Sequence, residues 1–93
     1  MTVNSRVSRR EQRRPRVEAA FGSAAEAALD LLELTELAWH DCYGEVSPSD
    51  LVVEDILVVS MGRLDRLASA ARLAVEDYRD LRLQAEAEVA KGR

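Results

Sequence analysis

The chain has 93 residues and a formal net charge of −4; 47% of its residues are hydrophobic, 32% charged and 4% aromatic, with only four glycines and two prolines. That is the composition of long helices, at a length that allows one domain whose own core is marginally sufficient. A lone cysteine excludes an internal disulfide, no apolar run reaches bilayer length, and arginines stand after Met1 where a signal peptide needs apolar residues, so the expectation is a cytoplasmic protein in a reducing compartment, its Arg-for-Lys preference suggesting a bacterial source.

Residues 1–16 lack apolar periodicity and read as a flexible basic arm. Arg6, Arg9, Arg10, Arg13, Arg14 and Arg16 stand there against Glu11 alone, a local charge of +5 that leaves −9 on residues 17–93. Clustered guanidiniums can neutralise phosphates and release counterions, so nucleic acid is one partner to consider. An acidic protein surface is another, and a solvated arm with no partner is the third reading.

The first helix is expected over about 17–43, with Pro15 near its start. Val17, Phe21, Ala24, Ala28, Leu31, Ala38 and Cys42, with Thr35 in register, recur at spacings of three and four. That seam fits a helix packed lengthwise on a neighbour. Gly22 lies within it at a cost of about 1 kcal/mol relative to Ala. In "DCYGEVSPSDL" Gly44 is suited to close the helix. Ser47 then reads as an N-cap, Pro48 as the first helical residue, and Asp50 as a carboxylate over the unpaired amides. The chain is expected to reverse here, into an antiparallel hairpin whose second helix covers about 48–89.

The second helix carries the seam Val53, Leu57, Ser60, Leu64, Leu67, Ala71, Ala74, Tyr78, Leu81 and Ala85. Its first half is apolar most of the way round, with Leu51, Val52, Ile56, Val58, Val59 and Met61 in addition. A helix of that kind is buried by more than one neighbour. Reading "DILVVSM" as a buried strand is the rival, but no second strand exists to pair with it. The all-α hairpin (residues 17–93) is therefore expected to dimerise into a four-helix bundle, with Val53, Ile56, Leu57, Leu64, Leu67, Tyr78 and Leu81 as the oligomer core. At about 1.5 Å per residue the helices would measure roughly 40 and 63 Å. The second would overhang beyond about residue 74, to be covered by a partner chain, by the arm on its acids, or by another protein.

Chemistry-bearing patterns are sparse. His40 and Cys42 are two residues apart, on different helix faces, so "WHDC" makes no metal pair within one chain. Di-iron bundles need Glu-x-x-His, and Leu37 stands three before His40. No Gly-rich loop precedes a helix, and no nucleophile–base constellation is arguable with one His and one Cys. The reading is a non-enzymatic interaction or adaptor protein without cofactor or metal, acting as a homo-oligomer; the alternative is a small DNA-associated regulator using the arginine arm.

Overall fold

A computed structural model describes residues 5–92. They form α1 (Arg6–Phe21), a single 3-10 turn (Gly22–Ala24), α2 (Ala25–Tyr43), α3 (Asp50–Ser60) and α4 (Leu64–Lys91), within 41 × 30 × 20 Å. The all-α expectation holds, and the segment that could have read as a strand lies in α3 and its C-cap. Two continuous helices were expected; the described residues instead make four α-helices, and each additional break has a local cause.

The first correction concerns the arm. Residues 1–4 lie outside the described residues, but from Arg6 onward the arm is helix. Ser5 caps it, its hydroxyl accepting from the Ser8 amide at 3.1 Å. Pro15 is inside this helix, not at its start. An interior proline forfeits a backbone hydrogen bond, at about 3 kcal/mol; here it sits on an exposed face, where water can reach the carbonyl left without a donor. The helix ends at Gly22, whose φ of 55° and ψ of −123° lie where only glycine is at ease. The chain reverses there, and α2 runs antiparallel to α1: Arg14 meets Glu26, Arg10 meets Asp30 and Arg9 meets Glu36.

The break at Gly22 also rotates the stripe. The buried residues of α2 are Ala25, Ala28, Leu29, Leu32, Thr35, Glu36 and Trp39. Ala38 and Cys42, which the expected seam placed inside, are exposed. A seam extended from Val17 across a helix break loses its phase. Gly44 closes α2 in the left-handed conformation as expected (φ 73°). The next helix begins later than expected: Ser49 is the N-cap, accepting from the Val52 amide at 3.3 Å, and Pro48 is buried ahead of it.

α3 stops after 11 residues, and Ser60 organises the stop. This serine is fully buried; its hydroxyl donates to the Leu57 carbonyl at 2.6 Å and accepts from the Gly62 amide at 3.3 Å. Met61 and Gly62 take left-handed backbone (φ 52° and 74°), and Arg66 Nε donates to the Val59 carbonyl, one of the orphans of a helix end. The turn also presses on α1: a Cβ at Gly62 would stand 2.6 Å from the Ala20 carbonyl oxygen.

The last surprise is inside α4, where Asp77 has non-helical backbone (φ −161°, ψ 87°). Its carboxylate accepts from the amides of Arg79 and Asp80 at 3.2 and 3.3 Å, the pattern of an N-cap starting a new helical segment. In an unbroken helix those amides would bond the carbonyls of Val75 and Glu76. The freed Val75 carbonyl takes the Tyr43 hydroxyl instead, at 2.7 Å. Residues 78–91 thereby bend back onto α3, where Arg82 pairs with Asp55 at 2.7 Å and Leu81 and Ala85 enter the core.

Among the described residues no apolar overhang remains. Much of the apolar surface of α3 is buried inside one chain: Val53, Ile56, Leu57 and Val59 share a cluster with Leu67 and Leu81 of α4 and Val17 and Phe21 of α1, while Leu51 and Met61 stay more than half exposed. Leu64 is half-buried at its edge and Tyr78 is 43% exposed. Five of the seven residues expected to form an oligomer core, Val53, Ile56, Leu57, Leu67 and Leu81, are covered by helices of their own chain.

Replacing Gly62 by Ala should destabilise the fold by more than the roughly 1–2 kcal/mol that left-handed backbone alone costs an L-residue, because the neighbour it meets is backbone. Urea unfolding of the variant measures this; a loss well under ~1 kcal/mol would contradict the close contact.

Candidate functional site

Two features stand out from the charged exterior: a buried ion-pair cluster that fastens α1, and an apolar face shared by α2 and α4. They use different residues and serve different ends.

The cluster follows from helix spacing. Arg9, Arg13, Val17 and Phe21 recur every four residues, so one face of α1 is apolar at its C-terminal half and cationic at its N-terminal half. The cationic half meets Glu36, which is 3% exposed on the buried stripe of α2. Arg9 approaches its carboxylate with Nε at 2.5 Å and Nη2 at 3.1 Å, a two-pronged contact. Arg13 adds Nη1 at 2.9 Å and sends Nη2 to the Ser47 hydroxyl at 2.9 Å, tying α1 to the loop before α3. Arg9 Nη1 is buried without a partner among the described residues. Burial pushes the Glu36 carboxyl up, but the hydrogen bonds from Arg9 and the charges of Arg13 and Arg9 outweigh it and hold it below its ordinary value.

The remaining arginines are also engaged. Arg10 reaches Glu26, Asp30 and Glu33 at 2.6, 2.9 and 3.1 Å. Arg14 bonds Glu11 and Glu26, and Arg16 straddles the Glu54 carboxylate of α3. Glu26 is held below its ordinary value by its hydrogen bonds to Arg14 and then Arg10. Of the six arginines expected to contact a partner, Arg6 alone makes no ion pair among the described residues. The others meet acids of α1, α2 and α3 within the chain, not the acids of the expected overhang. Glu36 was missed in the sequence because a carboxylate within a helical stripe reads as an interruption. The available signal was its position in the run Leu29, Leu32, Glu36, Trp39, opposite a stripe that carries arginine.

At the other end of α2, Trp39, Tyr43 and Tyr78 cluster, with ring centroids 4.4 Å (Trp39–Tyr43), 5.8 Å (Trp39–Tyr78) and 6.0 Å (Tyr43–Tyr78) apart. Trp39 donates its indole N–H to the Glu45 carboxylate at 2.9 Å. This cluster binds the end of α2 to the corner of α4. His40 and Cys42 beside it are exposed. Among the described residues no three His, Cys, Asp or Glu side chains are grouped to hold a metal ion, and no helix is long and apolar enough to cross a membrane.

The apolar face is a shallow groove of about 380 Å³ between α2 and the first part of α4. Leu31, Leu34, Thr35 and Ala38 line one side, and Ala68, Ala71 and Val75 the other, with Arg72 and Glu76 at the rim. Small residues on α4 let the groove form, and Leu34 stands beside it 61% exposed, with Leu37 at 48%. Compared with protein-family models, curated proteins and solved structures, the chain matches none.

Replacing Glu36 by Ala would leave the partly buried guanidiniums of Arg9 and Arg13 without their counter-charge and should cost about 3 kcal/mol. The lowered carboxyl value also fixes a sign. Glu36 contributes stability above the ordinary carboxylate range, about pH 4.3, and that contribution is lost as pH falls through its lower folded value. Acid unfolding followed by circular dichroism should therefore be less steep in Glu36→Gln than in the native chain; equal steepness would count against the pairing.

Proposed function

We propose that this chain is a non-enzymatic helical interaction protein that works as a homo-oligomer, with the α2/α4 groove as its contact surface. The observation that carries the reading is the exposure of Leu34 and Leu37 beside an alanine-lined groove. Single exposed leucines are ordinary, whereas a contiguous apolar patch marks an interaction site. A second copy suits it for two reasons. A two-fold axis lets Leu34 of each copy enter the groove of the other, using one patch twice. The same axis can bring together the Arg72–Glu76 pairs of the two copies, each already closed within its chain at 3.2 Å, as a polar rim. Two helices from each copy would then meet, and the interface itself would be the four-helix bundle.

An adaptor role follows if a different protein takes the place of the second copy on the same face. A DNA-associated role through the arginines is the weaker reading, because phosphates would have to displace Glu26, Glu36 and Glu54 from guanidiniums they already hold.

Light scattering of a concentrated solution should return about twice the 10.3 kDa chain mass. Leu34→Asp with Leu37→Asp should halve that mass without loss of helicity, since both side chains are outside the core. A native chain that stays monomeric would sink the proposal.

A further inference from the structure

The corner at Asp77 is not forced by composition: residues 64–91 contain no glycine and no proline. Ala71, Ala74, Tyr78, Leu81 and Ala85 also keep their alternating spacing straight through the corner, as one continuous helix would.

The Arg79 and Asp80 amides and the Val75 carbonyl are bonded in either shape. In the bent form the Arg79 and Asp80 amides bond the Asp77 carboxylate and the Val75 carbonyl takes Tyr43. In a straight form the same amides would bond the carbonyls of Val75 and Glu76. What a straight chain loses lies further on: Leu81 and Ala85, 0% and 2% exposed, would leave the core, and Asp55, buried on α3, would lose Arg82. Those losses are not recoverable within one chain. A straight α4 carries residue 82 roughly 27 Å from its start, whereas α3 extends only roughly 16 Å alongside it.

A second copy recovers all of them. Its residues 78–91 present the same Leu81, Arg82 and Ala85 to the vacated surface of α3 that the chain's own tail covers. A groove of about 570 Å³ runs along this contact, lined by Leu51, Asp55 and Val58 on the α3 side and Arg82, Ala85 and Val89 on the tail. We propose that the surface of α3 formed by Leu51, Asp55 and Val58 accepts residues 78–91 of a second copy, exchanged by straightening α4 at Asp77. Such exchange needs no new contact, only a hinge and a preformed complementary surface. The occupant is defined by the molecule itself, since the contacts that would hold it are those already made in cis. The surfaces exchanged, Leu51, Asp55 and Val58 on one side and residues 78–91 on the other, share no residue with the α2/α4 groove.

The Asp55–Arg82 pair gives a direct test. Asp55→Arg alone sets two guanidiniums together at this contact, and Arg82→Asp alone sets two carboxylates together. In either variant the amides of residues 78–91 should lose protection from hydrogen exchange. Mixed after brief unfolding, the two variants restore an opposite-charge pair at both contacts only if the tails are exchanged. The unaltered Arg82 of the first variant then meets the unaltered Asp55 of the second, and the two substituted positions face each other with opposite charges as well. The expected result is a one-to-one dimer by native mass spectrometry with the protection of residues 78–91 regained. Contact through the groove leaves each like-charged pair within its own chain and regains no protection. In the otherwise native chain, Asp77→Ala removes the cap and should raise the dimer fraction at equal concentration. A mixture without regained protection overturns the exchange, as does an Asp77→Ala chain whose dimer fraction equals that of the native chain.

Discussion

The fold depends on one carboxylate accepting two amides. By capping Arg79 and Asp80, Asp77 turns an apolar overhang into the cover for α3, and the core closes within a single chain. Without that corner, Leu81 and Ala85 would project into solvent and α3 would lack a wall. Tyr43 completes the arrangement by supplying a donor to the Val75 carbonyl that the corner leaves open. The two side chains, on different helices, thus bond the backbone on either side of the same corner.

α1 is attached by different physics. Its C-terminal half enters the core through Val17 and Phe21, while its N-terminal half is held by guanidiniums around Glu36, Glu26 and Glu54. The exposed pairs among these are worth little individually. The Glu36 cluster is of another kind, since a buried carboxylate demands its counter-charges and so fixes which face of α1 points inward. The chain's charge asymmetry, positive over residues 1–16 and negative beyond, is thereby largely neutralised within the molecule, and this makes an apolar face a better candidate for function than the arginines.

Helix content, the helix end at Gly44 and most of the second seam were legible in the sequence, because they rest on spacing and on residues with strong local preferences. Val53, Leu57, Leu67 and Leu81 are all buried as their periodicity implied. The breaks were not legible, each for its own reason. Gly22 was weighed as a cost to a helix when it was the helix's end. Ser60 through Arg63 contain a single glycine, and the buried hydroxyl that stops α3 has no counterpart in a hydrophobic pattern. Asp77 looks like any surface acid until its backbone is known. With these breaks missing, the apolar surface of α3 was assigned a second chain as its cover, where the structure covers Val53, Ile56, Leu57 and Val59 from within. The candidate surface was less visible: Leu34 and Leu37 fall outside the expected seam, and only the folded α2 shows that they face outward beside a groove.

The aromatic cluster doubles as an optical gauge. The chain holds a single tryptophan, and Trp39 sits 4% exposed with Tyr43 and Tyr78 as its ring neighbours. Tyr78 is the first residue past the corner of α4, so any movement there changes the distance between an emitter and a donor that faces it across the bend. Intrinsic fluorescence therefore reports on that corner without a label, and it is insensitive to events at the far end of the molecule where α1 turns into α2.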